Sequence, residues 1–176
     1  MRVLRNIIVV LLTFSAMAGA QLKLGFVNSA KVLSEYPDAQ EAQKKIDSKG
    51  KAWQAELERM SKDLQAKYEA FQQKEATLSD QAKKDQQQQL VALEQKGVQY
   101  RQEKFANDGE LAQLTDSLLS PVKRKVMKTI EAVAKEKGVQ FMFDRNDQIL
   151  VLLYGDVKYD YTNLVIDRLK RGEEAK

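Results

Sequence analysis

The sequence predicts an α+β fold that is mostly α: a small β body bearing a long antiparallel helical-hairpin arm. Three observations lead there. Short apolar segments with β-favouring residues stand near the two ends of the chain, at Leu22–Val27 and Val139–Asp144. Between them, residues 39–118 are nearly free of helix breakers and rich in Ala, Gln, Glu, Lys and Leu, the composition of long helices. Within that stretch apolar residues recur at alternating steps of four and three, which marks a heptad seam.

The chain opens with a basic start, Arg2 and Arg5, then an apolar run from Ile7 to Phe14 broken only by Thr13, then Ala18-Gly19-Ala20. That order predicts a secretory signal peptide over residues 1–20, cleaved after Ala20. An uncleaved anchor is the alternative, but the apolar run is short for a span of about 20 residues. The mature chain is then Gln21–Lys176 and exported. It has no cysteine, so no disulfide framework holds it, and no histidine, so the commonest general base and metal ligand are missing. Loss of Arg2 and Arg5 takes the net charge from +4 to +2, with 27 basic and 25 acidic residues. So weak a basic balance, on an exported chain, argues against a nucleic-acid partner.

Leu22–Val27 reads as the first strand and Ser29–Tyr36 as a short helix that turns the corner. Pro37-Asp38 launches the arm, with Asp38 as N-cap and Glu41 as its capping-box partner. The first seam holds Ile46, Trp53, Leu57, Met60, Leu64, Phe71 and Leu78, with defects at Gly50, Lys67 and Lys74. Thr77, Ser79 and Asp80 are cap residues that start a second helix. Its seam runs through Leu90, Leu93, Gly97, Tyr100, Lys104, Asn107, Leu111, Leu114 and Leu118, and is polar at Lys104 and Asn107. Residues 39–78 and 79–118 form two rods of equal length, each about 60 Å at 1.5 Å per residue. Equal rods around a capped turn predict an antiparallel hairpin; one continuous rod is the alternative. A hairpin returns Leu118 to the neighbourhood of Ala39 and so delivers the second strand to the first.

After the arm, Ser120 and Pro121 fit the N-cap and first position of a new helix carrying Val122, Val126, Ile130 and Val133 on one face, ended by Gly138. The strand "VQFMFD" follows, then a turn at Arg145-Asn146-Asp147. A further strand, Gln148–Gly155, is almost wholly apolar and so expected to be buried on both faces or at a subunit interface. Asp160 caps a last helix with Leu164, Val165, Ile166 and Leu169. The expected domains are therefore the signal peptide 1–20, a body of 21–38 with 119–176, and an arm of 39–118. A body of roughly 75 residues without disulfides is small for a self-sufficient core, and its strands leave open edges, so oligomerisation through the body is expected.

The sequence contains no G-x-S-x-G, no P-loop and no G-x-G-x-x-G. The acidic residues of the arm suit a solvated helix face with i,i+4 pairs. No enzyme activity and no cofactor or metal is expected. The basic stretch Val122–Lys128 reads as the solvated face of an amphipathic helix, or as a weak contact with an anionic membrane or lipopolysaccharide. The informative residues are the large apolar side chains spread along hydrophilic rods. Met60, Tyr68, Phe71, Leu78, Tyr100 and Phe105 are the candidates for contact with a guest chain. Trp53, Phe71 and Tyr100 lie on the seams, where packing is their default role, whereas Phe105 is off the seam. The polar seam defects weaken arm packing, and weak packing suits a surface that adapts to varied partners.

The signal segment, "KLGFVNSAKVLSEYPDAQ", the Gln/Lys/Glu-rich hairpin, "FMFD" and "YDYTNLVIDRL" together resemble the Skp/OmpH family of periplasmic chaperones over the whole mature chain. The most specific pieces are Gly25-Phe26-Val27, Val32–Pro37 and Asp160-Tyr161-Thr162. The resemblance implies a homotrimer whose strands share one small β-barrel body, with Leu24, Phe26, Phe141, Phe143, Ile149, Val151 and Leu153 as body residues. It implies helical arms around a cavity that holds unfolded outer-membrane β-barrel proteins in the periplasm without ATP. The family's basic arms are not reproduced, because residues 39–118 hold 13 basic and 14 acidic residues. No lipopolysaccharide-binding residue is therefore carried over. The rival reading is a structural coiled-coil spacer or tether of the envelope that binds no unfolded chain.

Overall fold

The computed structural model describes residues 22–146 and 152–172. The signal segment, Ile149 and Val151 lie outside the described residues. In order, the elements are β1 (Leu24–Val27), α1 (Ser29–Glu35), α2 (Pro37–Lys74), α3 (Asp80–Phe105), α4 (Glu110–Lys137), β2 (Phe141–Asp144) and α5 (Thr162–Arg171). They divide into two compact units. One holds the chain up to Val32 together with Lys128 onward, and the other is Leu33–Met127. Among the described residues no helix is long and apolar enough to cross a membrane.

The first unit is built on a parallel pairing of β1 with β2, in register Leu24↔Phe141, Gly25↔Met142, Phe26↔Phe143 and Val27↔Asp144. Parallel neighbours need a long crossover, and the intervening helices supply it. The pairing is extended at its ends, where the Gln140 N–H donates to the Lys23 carbonyl at 2.9 Å and the Arg145 N–H to the Val27 carbonyl at 2.7 Å. On its other side β1 meets Asp160 in an isolated bridge, and the Tyr161 N–H donates to the Phe26 carbonyl at 2.9 Å. β1 thus has partners on both edges.

Side chains then lock helices to this strand. Asn28 Oδ1 accepts from the Lys31 N–H at 2.8 Å and caps α1. Asp144, at the end of β2, accepts from the Ser29 N–H at 3.0 Å and its hydroxyl at 2.6 Å, placing a carboxylate at the positive end of α1. α4 closes on Gly138 (φ 64), with Val139 N–H returning to the Ala134 carbonyl at 2.8 Å and Gly138 N–H to Lys135 at 3.2 Å, a Schellman ending. α5 buries Thr162, Val165, Ile166 and Leu169, one helical face, and Phe26, Val27, Val32, Val133 and Val139 are buried in the same unit.

Asp160 acts one residue earlier than an N-cap. The last helix starts at Thr162, whose N–H and hydroxyl both donate to Asp160. The expected strand Gln148–Gly155 is corrected in part. Leu152–Gly155 is not strand, and the rest of that segment lies outside the described residues. Its apolar run had no alternation to distinguish a strand from an exposed apolar loop.

In the second unit α2 begins at Pro37, not after an Asp38 cap. Tyr36 holds the N-cap position but its side chain makes no capping hydrogen bond, and proline at the first position presets the helical φ. Asp38 instead sits in the first turn, where its carboxylate accepts from the Tyr36 hydroxyl and from Lys125 Nζ of α4 at 3.3 Å. Ala39, Ala42 and Ile46 of α2, with Val122 and Val126 of α4, are buried at this end. The far end of α2 closes in a 3₁₀ turn, Glu75–Thr77, and Ser79 Oγ caps α3 by accepting from the Ala82 N–H at 3.3 Å.

The return limb differs from the expected single rod. It breaks at residues 106–109, not at Ser120-Pro121. Pro121 lies inside α4. The proline removes the hydrogen bond to the Ser117 carbonyl, a change that costs about 3 kcal/mol in a helix interior. Both Ser117 and Pro121 are exposed, so water can satisfy that carbonyl, while buried Val122 and Val126 keep the helix anchored beyond it.

Candidate functional site

Two surfaces of the described chain leave large apolar groups uncovered, one in each unit. The first is the open face of the β1–β2 pair. Strand alternation puts Leu24, Phe26, Phe141 and Phe143 on one face. Leu24 is 43% exposed and Phe141 56%; outside the strand pair, Leu153 is 82% exposed. Leu22, Leu24, Phe26, Phe143, Tyr154 and Tyr159 line a depression of about 580 Å³ there. Phe26 itself is buried within its own chain. A Cβ on Gly155 would lie 2.4 Å from its ring, so the Gly155 backbone covers it directly, and the Arg145 guanidinium stands 5.5 Å from its centroid.

The second surface is the helical pair α2–α3. Phe71 is the one buried side chain of its distal half, and α3 has no buried residue at all among those described. A groove of about 790 Å³ between the helices is floored by Leu64, Phe71 and Leu90, flanked by Tyr68 and Val91, and rimmed by glutamines and glutamates. Tyr68 is 52% exposed. Met60, Leu78, Tyr100 and Phe105 are half-buried. α3 also presents a stripe absent from the sequence-derived candidates. Val91 and Val98 are 50% and 61% exposed, and Phe105 falls seven residues beyond Val98. The three form a second heptad line beside the seam residues Leu90, Leu93 and Gly97. The spacing was readable in the sequence, but only the aromatic member drew attention.

Lys104 and Asn107 are not packing holes as their polarity suggested. Asn107 lies in the turn between α3 and α4, and Asn107-Asp108-Gly109 is the ordinary turn signal for such a break. Lys104 lies over the Trp53 ring at 5.4 Å and the Tyr100 ring at 5.6 Å, and its ammonium pairs with Glu110. That hydrogen bond to Glu110 raises its pKa. Lys49 stands on the Trp53 ring too, at 5.8 Å. In the basic stretch, Val122 and Val126 turn inward, Lys123, Arg124 and Lys128 are exposed, and Lys125 is tied to Asp38.

Near Asp38 the electrostatics are structural. Burial, then the hydrogen bond to Asp38, push the Tyr36 phenol upward, and the bond from Tyr36 holds Asp38 below the ordinary carboxylate range. In the other unit, hydrogen bonds from Lys137 and then Arg168 take Glu136 from 4.5 to about 2. Among the described residues no group of three His, Cys, Asp or Glu is placed to hold a metal ion.

The model of the OmpH-like outer membrane protein family matches residues 23–169. The chain belongs to the OmpH-like family. This OmpH-like protein is 23% identical over 162 residues to the chaperone protein Skp of Yersinia enterocolitica, covering 90% of its own length and 93% of that protein. Its fold matches a crystal structure of a putative outer membrane chaperone (OmpH-like) from Caulobacter crescentus, with a TM-score of 0.73 at 16% identity over 90% of both chains. The mostly α fold with a small sheet that the sequence predicts is thus the fold of this family.

Proposed function

We propose that this OmpH-like protein is an ATP-independent holdase of the periplasm. It is exported by a signal peptide cleaved after Ala20, and it holds unfolded outer-membrane β-barrel proteins against the helical arms of three associated copies. The observation that carries the reading is the line of exposed Val91 and Val98 and half-buried Phe105, beside a shallow groove holding Tyr68. Contiguous apolar side chains that a folded chain leaves uncovered mark interaction surfaces. Here they lie on thinly packed helices, not in a rigid pocket, which suits an unfolded guest of no fixed shape. Each contact is weak, and repetition over several arms supplies affinity. Covering a client's apolar segments and strand edges blocks its aggregation.

The open face around Leu24, Phe141 and Phe143 is the surface through which copies associate. The relative named as the chaperone protein Skp, and the matching fold of a putative outer membrane chaperone, support the holdase reading. An unfolded porin diluted from urea is the direct test. Stoichiometric mature chain suppresses its light scattering, and V91S/V98S suppresses it less while keeping its helix content. Unchanged scattering with the parent chain removes the holdase reading and leaves the envelope spacer.

A further inference from the structure

The turn between α3 and α4 is built, not frayed. The Ala106 N–H donates to the Gln102 carbonyl at 3.1 Å, the Gly109 N–H to Ala106 at 2.9 Å, and Gln113 Nε2 to the Asp108 carbonyl at 2.8 Å. A Cβ on Gly109 would meet the Ala106 nitrogen and the Glu103 carbonyl at 2.9 Å, so this corner is too tight for any other residue. The i→i−4 ladder that stiffens a helix does not run through such a corner. Resistance to bending there comes from side chains. One side chain touches all three helices: Lys104, itself on α3, pairs with Glu110 of α4 and lies over Trp53 of α2. Only 16% of its side chain is exposed.

We propose that the 106–109 turn is a joint in the arm and that Lys104 is the latch that sets its angle. A cation–π contact or an ion pair is individually weak, so the latch opens and recloses without unfolding the helices it joins. The inference deepens the holdase reading by naming how the guest-binding helix α3 is set, yet it rests on intrachain geometry. Its test uses no client, so it can fail while the holdase reading stands, and the reverse.

The absence of cysteine lets two introduced cysteines carry spin labels uniquely. Gln88→Cys on α3 and Arg124→Cys on α4, both exposed, flank the joint. Labelled chain is diluted into unlabelled chain, so that distances within one chain are read by double electron–electron resonance. The parent gives one narrow distribution. Lys104→Met and Glu110→Gln each broaden and shift it, and the double variant broadens it no further than either alone. Lys104→Arg, which keeps the charge and the ring contact, retains the parent width. Unchanged widths in both single variants overturn the proposal, as does equal broadening by Lys84→Met on the same helix. Should Lys104→Met lose helix content, Glu110→Gln, outside α3, decides the matter.

Discussion

Gly97 sits in the interior of α3 with nothing within 4 Å of where a Cβ would stand. Glycine there costs the helix about 1 kcal/mol relative to alanine. Gly97→Ala is therefore expected to raise the stability of the arm by about that much, read from a denaturant midpoint shift at constant slope. Phe105 tests the opposite end of the same helix. Half-buried and last in the Val91–Val98–Phe105 line, it is expected to contribute more to holding a client than to stability. Phe105→Ala then weakens client binding more than it lowers the melting temperature; the reverse ranking assigns the ring to packing. At this scale the sequence was a partial guide. Tyr68 was a candidate for guest contact, and it is exposed. Lys104 was misread, because a heptad count scores any lysine as polar. It does not register that the charge of a lysine can rest on Tyr100, one turn back on the same helix, and on Trp53, which only the fold brings to it.

Cap chemistry fixes some element ends and not others: Asp38 and Asp160 stand near the cap positions of their helices, not on them. Ser79 caps α3 and Gly138 ends α4 as cap chemistry requires. The error lay in choosing between two breakers. Pro121 fits a helix start and Asn107-Asp108-Gly109 fits a turn, and the helix runs through the proline because the lost hydrogen bond faces water. Of the strand expected over Gln148–Gly155, the described part, Leu152–Gly155, is not strand, since an apolar run without alternation fixes no secondary structure.

α4 and α5 are joined by Glu136, whose carboxylate accepts from Lys137 and Arg168. A carboxylate held at about 2 in the folded chain, against 4.5 ordinarily, contributes stability that is complete above the ordinary value and fades as pH falls toward the folded one. The midpoint difference between parent and Glu136→Gln is accordingly expected to be present at neutral pH and to vanish between 4.5 and about 2. A difference that persists at the acid end rules out ionisation of Glu136 as its source.

For the molecule as a whole, the proposed association through the body has a direct measure. Sedimentation equilibrium on the mature chain is expected to give three times the monomer mass. Leu24→Asp or Phe141→Asp, each placing a charge on the open strand face, is expected to lower that mass. A monomer that stays folded with Leu24, Phe141 and Phe143 uncovered defeats the association argument. The number three came from resemblance and not from periodicity, since nothing in a heptad or a strand counts copies. The expectation of some partner copy rests on the small size of the body.

The parallel pairing of Leu24 with Phe141 also sets an order of events in time. Lys23 and Gln140, which close the pairing at its edge, are separated by 117 positions. Contacts so distant in sequence form late, whereas the α2–α3 hairpin closes through the local turn at Ser79 and shortens the gap the strands must bridge. A chain that emerges amino-terminus first from a ribosome or a translocon presents β1 at the outset and its partner only near the finish. Until residues 141–144 arrive, Phe26 and Val27 have neither sheet nor cover. For most of its own synthesis, then, this protein is an unfinished chain with a bare apolar strand, the same kind of object it is proposed to protect.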